Sequence, residues 1–220
     1  MEKIVSVSWG KDSTALLLKL LDEGEKIEEV VFFDTGVEFP QIYFNRDEML
    51  ETYLKPRGIK YTELRPPKRF LYYALEHPHK TRSGEIKYGY GWCGGMCRWG
   101  TTLKTRALDN YTKGKQVLIG LCADEEQRVA KLPPNKKAPL AEMGITEKEA
   151  LEICYAHGFF FGGLYEIVKR ASCWCCRNKN LKELKGYKEK MPEVWQRLVE
   201  LEDLIGEPMK KTKWLWEIDL

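Results

Sequence analysis

Two groups of residues have types and spacings that could do chemistry. The first is Ser8-Trp9-Gly10-Lys11-Asp12-Ser13. A short polar turn of this kind, set between a strand and a helix, leaves backbone N–H groups pointing at whatever sits on the helix N-terminus, and phosphate is the usual occupant. Lys11 adds a mobile positive charge, and Ser13 reads as a good N-cap with a spare hydroxyl. The turn is not a Walker A loop, which needs glycine where this chain has Val5 and Ser or Thr where it has Asp12. It lacks the three spaced glycines of a dinucleotide fingerprint. The second group is made of cysteines, Cys93 and Cys97 in a glycine-rich stretch and Cys173-Trp174-Cys175-Cys176 further on. Cys173 and Cys176 have the C-x-x-C spacing with which two thiolates bind one centre, and pairs from two distant segments can form a four-thiolate site.

The elements that must position these residues can be read from periodicity. Ile4–Val7 is a β-branched run that reads as a buried parallel strand, and Thr14–Leu21 is rich in helix formers. Glu29–Phe33, Ile59–Leu64 and Gln116–Gly120 read as further strands, with helices over Gln41 to about Tyr53, Phe70–Leu75 and Arg98–Leu108. The stretch Pro78–Gly100 reads as loop. Strands spaced by helices predict an α/β fold, an open and mainly parallel sheet with helices on both faces. Thr146 and Glu149 form a capping box opening a helix to His157, and helices follow around Leu181–Lys190 and Glu193–Leu204. The expected division is a nucleotide-binding α/β domain over 1–145, including a cysteine-bearing loop at 89–100. A mainly helical C-terminal part over 146–220 carries the cysteine cluster 173–176.

Ligands on open parallel sheets bind at the carboxyl ends of strands. One such end carries the phosphate turn. A second carries Asp34-Thr35-Gly36, and a third runs from Gly120 through Asp124-Glu125 to Arg128. Asp34 and the Asp124-Glu125 pair are candidate carboxylates for Mg²⁺, and Arg128 for clamping a phosphate or sulfate oxygen.

The turn Ser8–Ser13 resembles the PP-loop of the ATP-pyrophosphatase and adenine-nucleotide alpha-hydrolase superfamily, usually Ser-Gly-Gly-Lys-Asp-Ser. Trp9 stands where that pattern has Gly, and because tryptophan accepts positive φ poorly, an altered loop shape or reduced room beside the phosphate is expected. Asp34-Thr35-Gly36 followed by Phe39-Pro40 and Tyr43 resembles the signature of phosphoadenosine-phosphosulfate (PAPS) reductases. Gly120–Arg128 resembles a segment of that family and of DNA phosphorothioation sulfurtransferases, with Cys122 at the family's Arg position and Glu126 at its Ser position. The C-terminal cysteine signature of thioredoxin-dependent sulfonucleotide reductases is absent. The resemblance implies an adenine nucleotide, ATP or a sulfonucleotide, held by Ser8, Gly10, Lys11, Asp12 and Ser13 with Asp34, Thr35, Gly36, Gly120, Asp124 and Arg128. It implies Mg²⁺ helped by Asp12 and Asp34, Lys11 and Asp12 as catalytic residues, and a 4Fe–4S cluster on Cys93, Cys97, Cys173 and Cys176. Cys175 is then a spare thiol, a sulfur carrier or nucleophile, or the ligand in place of Cys173. Zn²⁺ is the alternative metal.

The chain has 220 residues, net charge +3, 43% hydrophobic and 31% charged content, values of a globular protein. That charge is too mild to argue for nucleic acid by itself, and Lys179–Lys190 and Lys210–Lys213 read as solvated helix face and tail. No leader or membrane span is visible, so a cytoplasmic protein is expected, in which seven cysteines are metal ligands or redox groups rather than disulfides. Cys122 and Cys154 read as buried small hydrophobes. The function expected is sulfur transfer or reduction by a PAPS reductase-like enzyme, with a nucleic acid or a sulfur-donor protein as further partner and a homo-oligomer as a further expectation. The alternatives are a nucleotide- or nucleic-acid-binding module with structural zinc, and an adenylating enzyme without sulfur chemistry.

Overall fold

The structure is a computed structural model that describes residues 3–92 and 97–220. In chain order the elements are β1 (Lys3–Val7), α1 (Lys11–Asp22), β2 (Glu29–Phe33), α2 (Pro40–Met49), β3 (Lys60–Leu64), β4 (Pro78–Lys80), β5 (Ile86–Tyr88), α3 (Lys104–Tyr111), β6 (Gln116–Ile119), α4 (Glu126–Val129), β7 (Lys136–Lys137), α5 (Pro139–Glu142), α6 (Glu147–Ala156), α7 (Leu164–Ile167), α8 (Leu181–Lys190) and α9 (Pro192–Ile205). Two compact units share the chain. The first takes the residues up to Asp34 with Pro40–Leu64 and Arg106–Leu164; the second takes Thr35–Phe39, Arg65–Thr105 and Tyr165–Leu220. The units interleave, so the expected single cut at residue 145 does not coincide with them. Among the described residues no helix is long and apolar enough to cross a membrane.

The first unit is built on a parallel sheet of order β3-β2-β1-β6-β7. Every residue of Glu-Val-Val-Phe-Phe in β2 is buried, as a strand covered on both faces requires. The apolar face of α1 is buried and packs on α6. Helix α6 opens with the expected capping box, Thr146 Oγ1 accepting from Glu149 N–H and Glu149 reaching back to Thr146 N–H. Because β1 lies between β2 and β6, the segments Ser8–Gly10, Asp34 and Gly120 leave the same edge of the sheet side by side.

Away from that edge, Glu29 is a buried carboxylate at the start of β2. Burial works to raise its pKa, but hydrogen bonds from Thr62 Oγ1 and Tyr111 OH, with Lys60 at 3.0 Å, outweigh it and hold the group below its usual value. A carboxyl with a depressed folded pKa contributes stability above its unfolded pKa and loses it as pH falls through the folded one. Glu29→Gln is therefore expected to cost about 2 kcal/mol near neutral pH, with the melting temperatures of variant and parent converging below pH ~4. A constant gap across a pH series would assign Glu29 a packing role instead.

The second unit has an aromatic and helical core. Trp99 packs at 4.8 Å on Tyr73 and 5.9 Å on Phe70, and Phe39 meets Tyr187 edge-on. Helices α8 and α9 lie together, and the fully buried Glu202 accepts from the backbone N–H groups of Met209 and Leu215, both at 2.7 Å, which ties down the C-terminal segment. The stretch expected to be loop contains a hairpin: β4 and β5 pair antiparallel, Pro78 facing Tyr88, His79 facing Lys87 and Lys80 facing Ile86. Three-residue strands are too short for period-two alternation to register.

Candidate functional site

In the first unit the phosphate turn is folded on itself. Ser8 N–H donates to Ser13 Oγ at 3.1 Å, and Ser13 Oγ donates to Gly10 O at 3.1 Å. Gly10, not Ser13, is the N-cap of α1. Ser13 sits one turn in and staples the loop. Trp9 takes φ +59°, the left-handed backbone that the pattern's glycine would supply. Its ring is fully buried, packed on Phe32 and Tyr61, and its carbonyl accepts from Asn45 Nδ2 at 3.0 Å. Trp9 thus takes a glycine-like backbone with its side chain in the core, where packing offsets the conformational cost. Asn45 also donates to Thr14 Oγ1 at 3.0 Å, so one α2 amide joins the turn to the first residues of α1.

Lys11 is 6% exposed. Its ammonium meets Asp12 Oδ1 at 2.5 Å and Glu147 Oε2 at 3.1 Å. Burial lowers its pKa, and the two carboxylates more than reverse that, leaving it raised and the group charged. Asp12 is raised in turn by burial and by the nearby Glu147 and Glu125, despite Lys11. The N-terminus of α6 comes to this place because Glu147 N–H donates to Asp124 Oδ1 at 3.0 Å. Sequence reading missed Glu147 because its position at the start of a capped helix already accounts for an acidic residue. Asn45 carries no signal at all.

Gly120 has an ordinary φ and is needed for closeness: a Cβ there would lie 2.7 Å from Asp12 C and from Ser13 N and Cα. The β6 end and the turn thus touch backbone to backbone. Cys122 and Cys154 are buried, as expected. Cys122 Sγ lies 3.6 Å from Asp12 Oδ1, and burial first and Asp12 second push its thiol well up. Cys154 donates to Lys11 O at 3.2 Å. Asp34 is buried and accepts from Tyr43 OH at 2.7 Å. Arg128 is largely exposed and ion-paired with Glu125 one turn back.

The second unit holds Thr35, Gly36, Cys97, Cys173, Cys175 and Cys176. Gly36 has φ +75°, a glycine backbone. Thr35 Oγ1 donates to Glu38 Oε1 at 2.8 Å and lies 3.9 Å from Cys173 Sγ. Cys97 caps the helical turn Arg98–Leu103, its sulfur accepting Gly100 N–H at 3.1 Å. A Cβ on Gly100 would stand 3.6 Å from Cys97 Sγ and 3.7 Å from Cys173 Sγ, in ordinary contact, so both sulfurs lie beside this residue. Cys176 N–H closes a tight turn on Cys173 O at 3.1 Å. Burial chiefly, then Glu38, pushes the Cys173 thiol up to about 12. Cys175 is buried, and burial and its neighbour Cys173 push it well up.

Lys179 was expected on a solvated face. It is 3% exposed, donates to Arg170 O at 3.2 Å, lies over the Phe39 ring and feels Cys176 and Cys173. Lys210 also feels Cys176. Trp92, Trp99 and Trp174 are buried.

Thiols from separated segments, with Lys179 and Lys210 near enough to feel them, fit a thiolate-held centre in donor type. Among the described residues no three His, Cys, Asp or Glu side chains gather closely enough to hold a metal ion. Cys93, expected as a ligand, lies outside the described residues.

The phosphoadenosine phosphosulfate reductase domain family matches residues 2–143. The uncharacterized protein MJ0066 of Methanocaldococcus jannaschii is 25% identical over 230 residues, covering 97% of this chain and 45% of its own length, so the chain spans less than half of that relative. Among solved structures, the U34-tRNA thiolase NcsA from Methanococcus maripaludis with its [4Fe-4S] cluster superposes with a TM-score of 0.48 at 14% identity, over 100% of this chain and 78% of that one.

Proposed function

Since the chain belongs to the phosphoadenosine phosphosulfate reductase domain family, we propose that it binds an adenine nucleotide on the Ser8–Ser13 turn and catalyses sulfur transfer, with ATP as the nucleotide. The observation that carries this reading is the buried Lys11 ammonium at the N-terminus of α1, between the adjoining ends of β2 and β6. Helix N–H groups, Lys11 and the close backbone at Gly120 form a cradle for phosphate oxygens.

The reaction has two displacements. An acceptor oxygen attacks the α-phosphorus, the bond to pyrophosphate breaks, and pyrophosphate leaves with the electron pair. A sulfur nucleophile then attacks the carbon bearing the adenylated oxygen, and AMP leaves as the C–S bond forms. The chain's contribution to the first displacement is position and charge. Ser8 and Ser13 hold the turn in shape, Lys11 neutralises the developing negative charge, and Gly10 and Gly120 allow close approach. Asp12 and Asp34 are the proposed Mg²⁺ carboxylates. Asp124 and Arg128 stay in the proposed nucleotide-binding set, while Thr35 and Gly36 belong to the second unit.

One observation favours ATP over reductive attack on a sulfonucleotide. Cys122 and Cys154, the described thiols beside the turn, are fully buried, and burial chiefly pushes both up; a protonated thiol is a poor nucleophile. In the second unit, Cys93, Cys97, Cys173 and Cys176 are the proposed ligands of a 4Fe–4S cluster; the Cys175 thiol, buried and pushed well up like that of Cys122, is by the same argument a poor sulfur carrier. Such a cluster supplies, when bound, a soft metal that holds sulfur.

The test is titration calorimetry with ATP and with adenylyl sulfate, plus pyrophosphate release, on protein purified without oxygen. Expected are ATP binding with Mg²⁺, acceptor-dependent pyrophosphate release, and iron with acid-labile sulfide that Cys97→Ala loses. Binding of neither nucleotide overturns the site. Full metal retention in Cys97→Ala, or zinc in place of iron, overturns the cluster.

A further inference from the structure

The second unit carries a pocket that the chemistry above does not use. Its volume is about 570 Å³, and it lies between the β4–β5 hairpin, the helical turn around Ala74 and the end of α9. The hairpin is fixed on its floor by backbone. Gly89 N–H donates to His77 O, Tyr90 N–H to Tyr73 O and Gly91 N–H to Ala74 O, at 2.9–3.0 Å. Gly89 has φ +72°, and a Cβ there would stand 2.3 Å from Ala74 O. Trp92 Nε1 donates to Glu207 O at 2.7 Å, which ties the far wall. This is a built cavity, within the 300–1,000 Å³ range of roughly nucleotide- to drug-sized ligand sites.

The lining decides the ligand class. Lys80, Arg82, Lys87 and Arg98 line it against a single acid, Glu207. Between the cations stand aromatic rings. Tyr90 is engaged already, 4.7 Å from the His79 ring with the Arg98 guanidinium 5.1 Å from its centre. Tyr88 at the rim is 72% exposed. A cationic, aromatic and polar lining excludes a purely apolar ligand and suits one that combines flat rings with repeated negative charge. We propose that this pocket takes an unpaired nucleotide of a single-stranded nucleic acid, its base stacking on Tyr88 and its flanking phosphates meeting Lys80, Arg82 and Lys87. Cations interleaved with an exposed ring form the pattern by which single strands are held without base-pair readout. An acidic peptide would use the charges and leave Tyr88 idle. A duplex would hide the base that Tyr88 stacks.

The test is fluorescence anisotropy with labelled U10, dT10 and a 10-base-pair duplex, without ATP, so that it stands or falls separately from the nucleotide site of the first unit. Both single strands are expected to bind more tightly than the duplex, with log affinity falling against log salt at a slope near −2 for about three phosphate contacts. Tyr88→Ala should weaken binding by about tenfold or more with the slope unchanged. Lys87→Ala should weaken it and lower the slope by about 0.7. Both side chains are exposed on the hairpin, and Lys190→Ala, on a separate helix, should bind like the parent. No strand binding, equal binding of duplex, displacement by poly-glutamate that is as effective against Tyr88→Ala as against the parent, or unchanged binding by Tyr88→Ala and Lys87→Ala would each overturn the assignment.

Discussion

Lys11→Met is expected to abolish nucleotide turnover while damaging the fold as well, and the two effects can be separated. Lys11 sits between Asp12 and Glu147, all three largely shielded from water. Removing a donor aimed at developing negative charge typically costs about 10²–10³ in rate. Removing one partner of a buried ion pair costs about 3–5 kcal/mol, because the other charge is left uncompensated. Here two carboxylates are left facing each other, with Asp12 already raised by burial and by Glu147. Lys11→Met should therefore melt lower than the parent and recover part of the gap as pH falls and Asp12 takes up a proton. The sign follows from linkage: a carboxyl with a raised folded pKa is favoured in its protonated form, so its burden on the fold shrinks with falling pH. The double variant Lys11→Met/Glu147→Gln should regain stability and not turnover. Pyrophosphate release from the double variant at the parent's rate would remove Lys11 from the catalytic set.

How much of this was legible in the sequence differs from element to element. The β1-turn-α1 unit was legible because three signals agree there: a β-branched run, a polar turn with glycine and lysine, and a run of leucines. Strand ends Asp34 and Gly120 followed, since a parallel sheet puts its carboxyl ends on one edge and β1 lies between β2 and β6. The α6 capping box was legible because side-chain capping is local. Contacts made across the fold were not. Glu147 reaches Lys11 over a sequence separation of 136, and Asn45 joins the turn from α2. Lys179 looked like one more solvated lysine, since charge patterning cannot tell which lysine of a basic run the fold turns inward. The β4–β5 hairpin escaped because its strands are three residues each. The C-x-x-C spacing marked the thiols as a pair, but spacing says nothing of how far Cys97 stands from them.

Trp9 shows what a departure from a sequence pattern means physically, and its replacement by glycine is the other large effect expected. By pattern alone, Trp9→Gly restores the usual residue and relieves a left-handed φ of +59°, worth about 1–2 kcal/mol. By packing it removes a fully buried indole from Phe32 and Tyr61, and truncating a buried Trp or Phe costs about 3–5 kcal/mol. Glycine also loses more backbone entropy on folding, about 0.5–1 kcal/mol. Packing wins, and a net loss near 3 kcal/mol corresponds to a fall of about 6–12 °C in melting temperature for a chain of this size. Nucleotide affinity should move far less, because Asn45 still holds the residue-9 carbonyl and Ser13 still staples the loop. Thermal melting and calorimetry on one preparation read both quantities. An unchanged or raised melting temperature would show that strain outweighs packing at this turn. A large loss of affinity with little loss of stability would show that the indole serves the nucleotide rather than the core.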